Sequence, residues 1–447
     1  MKLNMLCFAD DLMLFCKGDI RSIKSLVKGL NHFERASGLK ASNTKSEVFT
    51  ANMKEEEVKS ICERTGFRKG VWPFNYLGVP VCNRKLSRDE CEVLVHKLTA
   101  RVRNWQSRHI SYVGRLQLVN AILLSICNYW MQVFILPAGV LKEVNRICRR
   151  FLWEGHMNGQ KPGYVAWEKV CNSKTEGGLG IKDIALWNTI AVAKFVWQIA
   201  EKKDSLWVKW VHSVYIKEKN LWEYKPSVLA SWVWRSICTI KRRLTSMDTA
   251  DWWPPSGQGF KIGKIYHKIK SRGNKENRVK WASMVWNRTS IPKHCFIWWL
   301  AVQKRLMVKR RLFKYGVSSD PWCALCGTHE ESHDHLFFRC QFSKRVWEDV
   351  FTWLQVRGKW SNMSELVHWC RRRCRTSKVR SQAIIAACAS VIYSIWQARN
   401  QAHWERRRQQ PEAYVSQVKF FVAKRCYRLS CKNCNSKDKG WIAEVCK

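Results

Sequence analysis

Two groups of residues in this 447-residue chain have types and spacings that could do chemistry. The first is the run CALCGTHEESHDHLFFRC, in which Cys323, Cys326, His335 and Cys340 fall as Cys-x2-Cys-x8-His-x4-Cys. A Cys-x2-Cys turn lets two thiolates reach one ion, and a His and a Cys about one helical turn apart can close a tetrahedron. Thiolate and imidazole donors favour zinc, and four protein ligands leave no open position, so such a site is structural. His329 and His333 lie in the same run as rival ligands. The second group is Asp10 and Asp11 in LCFADDLMLF. Neighbours in a strand face opposite ways, so both can serve one site only at a hairpin tip. Carboxylates there can hold Mg2+ for two-metal nucleotidyl transfer, provided a further acid from another strand completes the set. Read more plainly, Asp at a turn bonds its own backbone. A weaker metal spacing closes the chain: Cys426-x4-Cys431-x2-Cys434, with Cys446 beyond.

The composition says what such sites would act on. Lys and Arg number 79 against 35 Asp and Glu, a formal charge of +44 with 46% hydrophobic residues. That is enough apolar material for real cores, and too much positive charge to be comfortable without a polyanion. RNA or DNA is therefore the expected partner. The first residues lack the pattern of a secretory signal, so an intracellular, disulfide-free protein is expected. The longest apolar stretch, Ala383 to Trp396, is shorter than the roughly 20 residues of a membrane span and reads as a buried helix, so no membrane partner is expected.

The elements that must position these residues follow from periodicity. Residues 1–20 read as a hairpin with its tip at Ala9-Asp10-Asp11. Ile23, Leu26, Val27, Leu30 and Phe33 form the stripe of a helix ending near Gly38, GLKASNTKSEVF is a loop entering a strand, and YLGVPV is one short strand. From Ser87 to Leu136 the pattern is helical, with Leu94, Leu98 and Val102 in one stripe and Ser111 a cap between two helices. Tryptophans between residues 185 and 245 sit among bases; they could stack on single strands, but a core stripe is the commoner meaning. DWWPPSGQGF from Asp251 reads as a linker, and Ser364 to Ala423 as a final helical region.

Taken in order, these motifs resemble the C-terminal part of a non-LTR (LINE-type) retrotransposon reverse transcriptase. FADD is similar to the aromatic-x-Asp-Asp palm motif, and SGLKASNTKSE to the motif after it, whose lysine is Lys45. YLGVPV resembles the primer grip, and NWQSRHISYVGRLQLVNAILLSICNYW the thumb-like helices. WNRTSIPKHCFIWWLAVQKRLMVKRRL with the cysteine run resembles the reverse-transcriptase zinc-binding domain, which favours His335 over His333.

The resemblance implies an α+β, predominantly α-helical chain. Its parts would be a truncated palm (1–85), a thumb-like region (86–155), a Trp-rich basic connection (156–250), a zinc-binding domain (255–350) and a helical basic region (360–447). It implies zinc at Cys323, Cys326, His335 and Cys340, and Mg2+ at Asp10 and Asp11 only if the polymerase site were complete. Seven residues precede Phe8, too few for the palm motif that carries the other metal-binding Asp. Asp10, Asp11 and Lys45 are then expected to be relics, and nothing downstream resembles a ribonuclease H domain. The expected function is a nucleic-acid-binding fragment of an RNA-directed DNA polymerase, inactive alone and, by the resemblance, nuclear. The alternative is a domesticated nucleic-acid or protein interaction module.

Overall fold

Short alternating apolar runs at the start of the chain pair as β1 (Met5–Phe8) and β2 (Asp11–Leu14), antiparallel, with Phe8 opposite Asp11. The computed structural model describes residues 3–106, 109–156, 163–248, 252–255, 257–272, 278–373, 377–430 and 436–445. Ala9 and Asp10 form the turn, and Ala9 takes a positive φ of 52° that usually calls for glycine. Asp11 is therefore already in the strand. Helix α1 (Ile20–Ser37) follows, started by Asp19, whose carboxylate accepts the Ser22 N–H at 2.8 Å. Its apolar stripe is incompletely covered: Ile23 is buried, whereas Phe33 stays 51% exposed.

Two local readings change. Helix α2 (Glu55–Thr65) shows no apolar stripe in the sequence, although three glutamates in its first turn favour the positive end of a helix dipole and Gly66 ends it. YLGVPV is not one strand but part of a hairpin, β5 (Phe74–Tyr76) against β6 (Val79–Val81). Leu77 and Gly78 both take positive φ, as a two-residue turn between twisted strands requires. Between the hairpins, β3 (Glu47–Val48) pairs in parallel with β4 (Arg68–Lys69).

The rest of the described chain is helical, so the protein is α+β and predominantly α-helical. Helix α3 (Glu92–Gln106) buries Leu94, Leu98 and Val102 completely. Ser111 caps α4 (Tyr112–Leu118) by accepting the Gly114 N–H. A π-turn at Val119–Leu123 joins α4 to α5 (Leu124–Val133), and α6 (Ala138–Glu154) comes next.

Contacts divide the chain into two units. The first comprises Met1–Val95, Asn128–Leu141 and Ala185–Lys268. Of the tryptophans between residues 185 and 245, Trp197 and Trp234 are buried in the core, Trp187, Trp207, Trp210 and Trp232 are half-buried and Trp222 is exposed, and the indole N–H of Trp187 donates to Asn128 at 2.8 Å. Trp252, inside the stretch read as a linker, is 1% exposed and packs on Trp222. Asn188, on α7 (Ile184–Ala200), donates to Met131 O and Phe134 O and accepts from Leu136 N–H. Lys241, on α8 (Trp232–Thr245), buries its ammonium on the carbonyls of Leu221, Trp222 and Tyr224.

The second unit comprises His96–Cys127, Lys142–Ile184 and Ile269–Lys447. Tyr112, Trp153, Phe296 and Trp299 stack in its interior. Phe296 and Trp299 belong to α9 (Pro292–Val302), which is buried from His294 to Ala301. Helices α10 (Gln341–Trp353), α11 (Lys378–Trp404) and α12 (Pro411–Ser430) complete the frame, with α11 against both α9 and α12. Tyr112–Val133 and Val379–Trp404 are long and apolar enough to cross a membrane by length and composition, but the second is 72% buried inside the protein. The stretch Ala383 to Trp396 is thus the core helix expected.

His294 generates a testable consequence. Its ring lies wholly inside, bonded through Nδ1 to Ser390 at 3.0 Å and stacked on Tyr393. Burial, helped by Lys293 and Arg425, pushes its pKa down to about 3. An unfolded chain binds that proton near pH 6.5, so stability is full above this value and falls as pH drops from about 6.5 toward 3. Urea midpoints at pH 7 and pH 5 should show a loss for the native chain about 2 kcal/mol larger than for His294→Phe. Equal losses in the two proteins would mean that His294 does not contribute.

Candidate metal centre

The cysteine run folds locally because its ends are tied. Trp322 and Glu330 form a β-bridge, and Cys323 N–H donates to His329 O at 2.8 Å. Within that loop Gly327 N–H returns to Cys323 O at 2.8 Å, and Gly327 adopts a φ of +73° that a side chain would resist. This knuckle aims the Cys323 and Cys326 thiols to one side. The other two donors bracket the π-turn His335–Arg339: His335 opens it and Cys340 directly follows it, with Cys340 N–H donating to His335 O at 2.8 Å. In an α-helix residues five apart point about 140° away from each other. The wider π-turn brings the two ends of the His-x4-Cys spacing toward one point.

The four donor atoms of Cys323, Cys326, His335 and Cys340 all lie within 4.8 Å of one another. Cys323 Sγ to Cys340 Sγ is 4.0 Å, and Cys326 Sγ to His335 Nε2 is 3.3 Å. A tetrahedral zinc with sulfurs at about 2.3 Å would place two sulfurs about 3.8 Å apart, so the residues fit that ion. Cys323, His335 and Cys340 are buried and Cys326 is half-buried. The Cys323 thiol donates to Cys340, which lowers the Cys340 pKa and raises that of Cys323; burial adds to the rise. Burial, with His329, Arg339 and Lys344, lowers the His335 pKa. Metal binds the thiolate and the neutral imidazole, so the downward shifts at Cys340 and His335 both run toward the binding forms. His329 stacks on His335 at 5.3 Å, and neither it nor His333 joins the four.

Beneath the knuckle lies a buried ion pair that sequence reasoning missed. Glu331 and Arg399 are 0% and 1% exposed, with Arg399 Nε 2.8 Å from Glu331 Oε1. The same carboxylate accepts Lys309 N–H at 2.7 Å and Ala324 N–H at 3.2 Å. Ala324 sits between the two knuckle cysteines, so Glu331 fixes the loop that aims them. Only one cue was available: Arg399 follows Ile392 and Ile395 at helical spacing, on the face of α11 that turns inward.

The acids at the start of the chain are placed differently. Asp10 and Asp11 are exposed, and among the described residues no third acid, Asp19 and Glu47 included, gathers with them. Asp19 is occupied as the cap of α1, and Lys45 is exposed in the turn before β3. Cys426 is buried in α12, while Cys431, Cys434 and Cys446 lie outside the described residues.

Comparison with known proteins places this geometry. Residues 260–347 match the family described as zinc-binding in reverse transcriptase. The chain is 30% identical over 190 residues to the Arabidopsis thaliana protein At1g65750, named as a ribonuclease H protein; the match covers 41% of this chain and 30% of that relative. The chain thus spans under a third of the relative's length. A second match, 31% identical over 110 residues, is to the uncharacterized mitochondrial protein AtMg00310 of Arabidopsis thaliana, and covers 24% of this chain and 71% of that protein.

Removing one partner of a buried ion pair leaves the other charge stranded, at a cost of about 3–5 kcal/mol. Arg399→Ala should therefore lower the urea midpoint sharply, whereas Arg399→Ala combined with Glu331→Gln should recover part of the loss. If the double variant were no better than the single one, the pair would not be the source of the effect.

Proposed function

The chain belongs to one family with the Arabidopsis mitochondrial protein AtMg00310, and on that premise we propose that it is a piece of a LINE-type retrotransposon reverse transcriptase: a zinc-stabilised, nucleic-acid-binding portion that does not polymerise by itself. The observation that carries this reading is the buried Cys3His cluster inside the segment matched to reverse-transcriptase zinc-binding domains. Cys323, Cys326, His335 and Cys340 would hold the zinc, which supplies folding free energy and cross-links the knuckle to the start of α10. The chain's own residues do the rest. Its excess of 79 Lys and Arg over 35 Asp and Glu attracts phosphates.

In this reading residues 1–85 are a palm portion, 86–155 the thumb-like helices, 156–250 the basic connection, 255–350 the zinc domain and 360–447 a basic helical end. Asp10, Asp11 and Lys45 are, in this reading, relics of the palm motifs. Two adjacent exposed carboxylates do not make a two-metal site, because its ions need oxygens from separate strands. The nucleus is where such a protein would meet its template.

Three measurements test the proposal. Purified protein should carry one zinc, and Cys340→Ser should lose it; equal zinc in both would remove the ligand set. Binding to RNA or DNA should weaken steeply as salt rises, and a salt-insensitive or absent affinity would remove the partner. Primer extension on an RNA template with Mg2+ or Mn2+ should give no product. Extension abolished by Asp10→Asn would show instead that a third acid had been recruited.

A further inference from the structure

Of the 26 tryptophans in the chain, those strongly exposed among the described residues are Trp222, Trp322 and Trp404. Trp222 rests against Trp252 and Trp253. Trp322 and Trp404 are different: they are 50% and 61% exposed, and Trp322 borders the candidate metal centre. Trp322 directly precedes Cys323, and its N–H donates to Asp320 at 2.9 Å. Trp404 closes α11 five residues after Arg399, whose Nε lies 2.8 Å from Glu331, and the neighbouring Glu330 is bridged to Trp322. The two indoles therefore share one neighbourhood.

Beside them the chain turns sharply after α11. Glu405 N–H and Arg407 N–H both donate to Gln401 O, at 3.0 and 3.1 Å, and Arg406 takes a positive φ of 54°. Tyr414 donates its hydroxyl to the Gln401 side chain, which pins the far end of the turn. Arg408, Gln409, Gln410 and Tyr414 form one side of a cavity of about 220 Å3. Its other side includes Leu325, the residue between Ala324 and Cys326 in the knuckle. A cavity below the ~300–1,000 Å3 of small-molecule sites takes part of a ligand, such as one planar base.

Charge decides what kind of ligand. Acids around this face are already paired: Asp320 with Lys309 at 2.5 Å, Glu330 with Arg310 at 3.6 Å, Glu412 with Arg345 at 2.7 Å. Against the turn's own Glu405 stand the exposed Arg406, Arg407 and Arg408. An apolar protein partner would have to desolvate three guanidinium groups, whereas a phosphate backbone would neutralise them. Bases within a duplex hide their faces in the stack, so exposed indoles favour unpaired ones.

We propose that this face holds single-stranded nucleic acid, with Trp322 and Trp404 stacking on unpaired bases, Arg406, Arg407 and Arg408 holding phosphates, and the cavity between Leu325 and Gln410 receiving one base. This rests on the nucleic-acid-binding reading above and adds to it the strandedness of the ligand and the residues that read it.

The test uses the full chain and a labelled mixed-sequence oligonucleotide, as DNA and as RNA, single-stranded or annealed to its complement. Fluorescence anisotropy should show tighter binding of the single strand. Trp404→Ala and Trp322→Ala should each weaken it by roughly ten-fold, within the range of one base–aromatic stack, with little effect on the duplex. Trp404→Phe, which keeps a ring, should retain most of the affinity. Replacing Arg406, Arg407 and Arg408 together by Ala should reduce the slope of log K against log salt by about 2, as three phosphate contacts to a single strand imply. Variants are compared at equal zinc content and equal far-ultraviolet circular dichroism. Wild-type protein that binds neither form overturns the nucleic-acid reading itself. Wild-type protein that binds, with tryptophan variants binding equally well, overturns this face alone.

Discussion

A carboxylate without exposed surface, Glu331, is the constraint from which the best-formed part of this protein follows. Burying it unpaired would be prohibitive, so the fold must bring it donors, and it brings three from separate segments: Lys309 N–H, Ala324 N–H and the Arg399 guanidinium. One tie sets where the knuckle loop sits, another where the chain enters it, and the third binds both to α11. An ion pair of this kind adds little stability over a well-packed apolar pair. Its value lies in geometry: a carboxylate accepts in fixed directions, so it locates Ala324, and with it Cys323 and Cys326, more sharply than packing would.

The same logic recurs in the other unit. Asn188 and Lys241 are buried polar side chains whose partners are backbone groups at places where regular structure stops. Each satisfies carbonyls that a helix end or loop would otherwise leave unbonded inside. Both side chains thus enter the interior with their polar atoms bonded. A formal charge of +44 on such a frame repels itself, and a polyanion relieves that repulsion.

How much was legible depends on range. The N-terminal hairpin, the Ser111 cap, the buried helix from Ala383 and the predominantly helical class come from neighbours in sequence, and those were readable. The Cys-x2-Cys turn was readable for the same reason. YLGVPV reads as one strand because its turn places Leu77, a residue with no turn signature, at positive φ, and only Gly78 carries the cue. Helix α2 hid because its polar residues outnumber Val58 and Ile61, its two buried ones. Glu331 and Arg399 are 68 residues apart, and in the polar run around Glu331 nothing distinguishes an inward acid from a solvated one. The exposure of Trp322 and Trp404 was equally invisible, since the other tryptophans, Trp222 apart, are buried or half-buried.

The two candidate sites differ in how much of a fold each requires. The cysteine cluster draws all four donors from one short stretch, closed by a bridge and a π-turn, and needs the rest of the unit only to hold Glu331 and α10 in place. A magnesium pair cannot be built that way. Its carboxylates must approach from different strands, because successive residues of a strand diverge and one turn cannot wrap an octahedral ion. Asp10 and Asp11 stand on a two-stranded sheet whose Met5, Phe8 and Leu12 are all more than a third exposed. Among the described residues no third strand pairs with this hairpin, and two strands alone are marginal in water. A knuckle can be complete within a segment, whereas a polymerase centre is a property of a whole sheet.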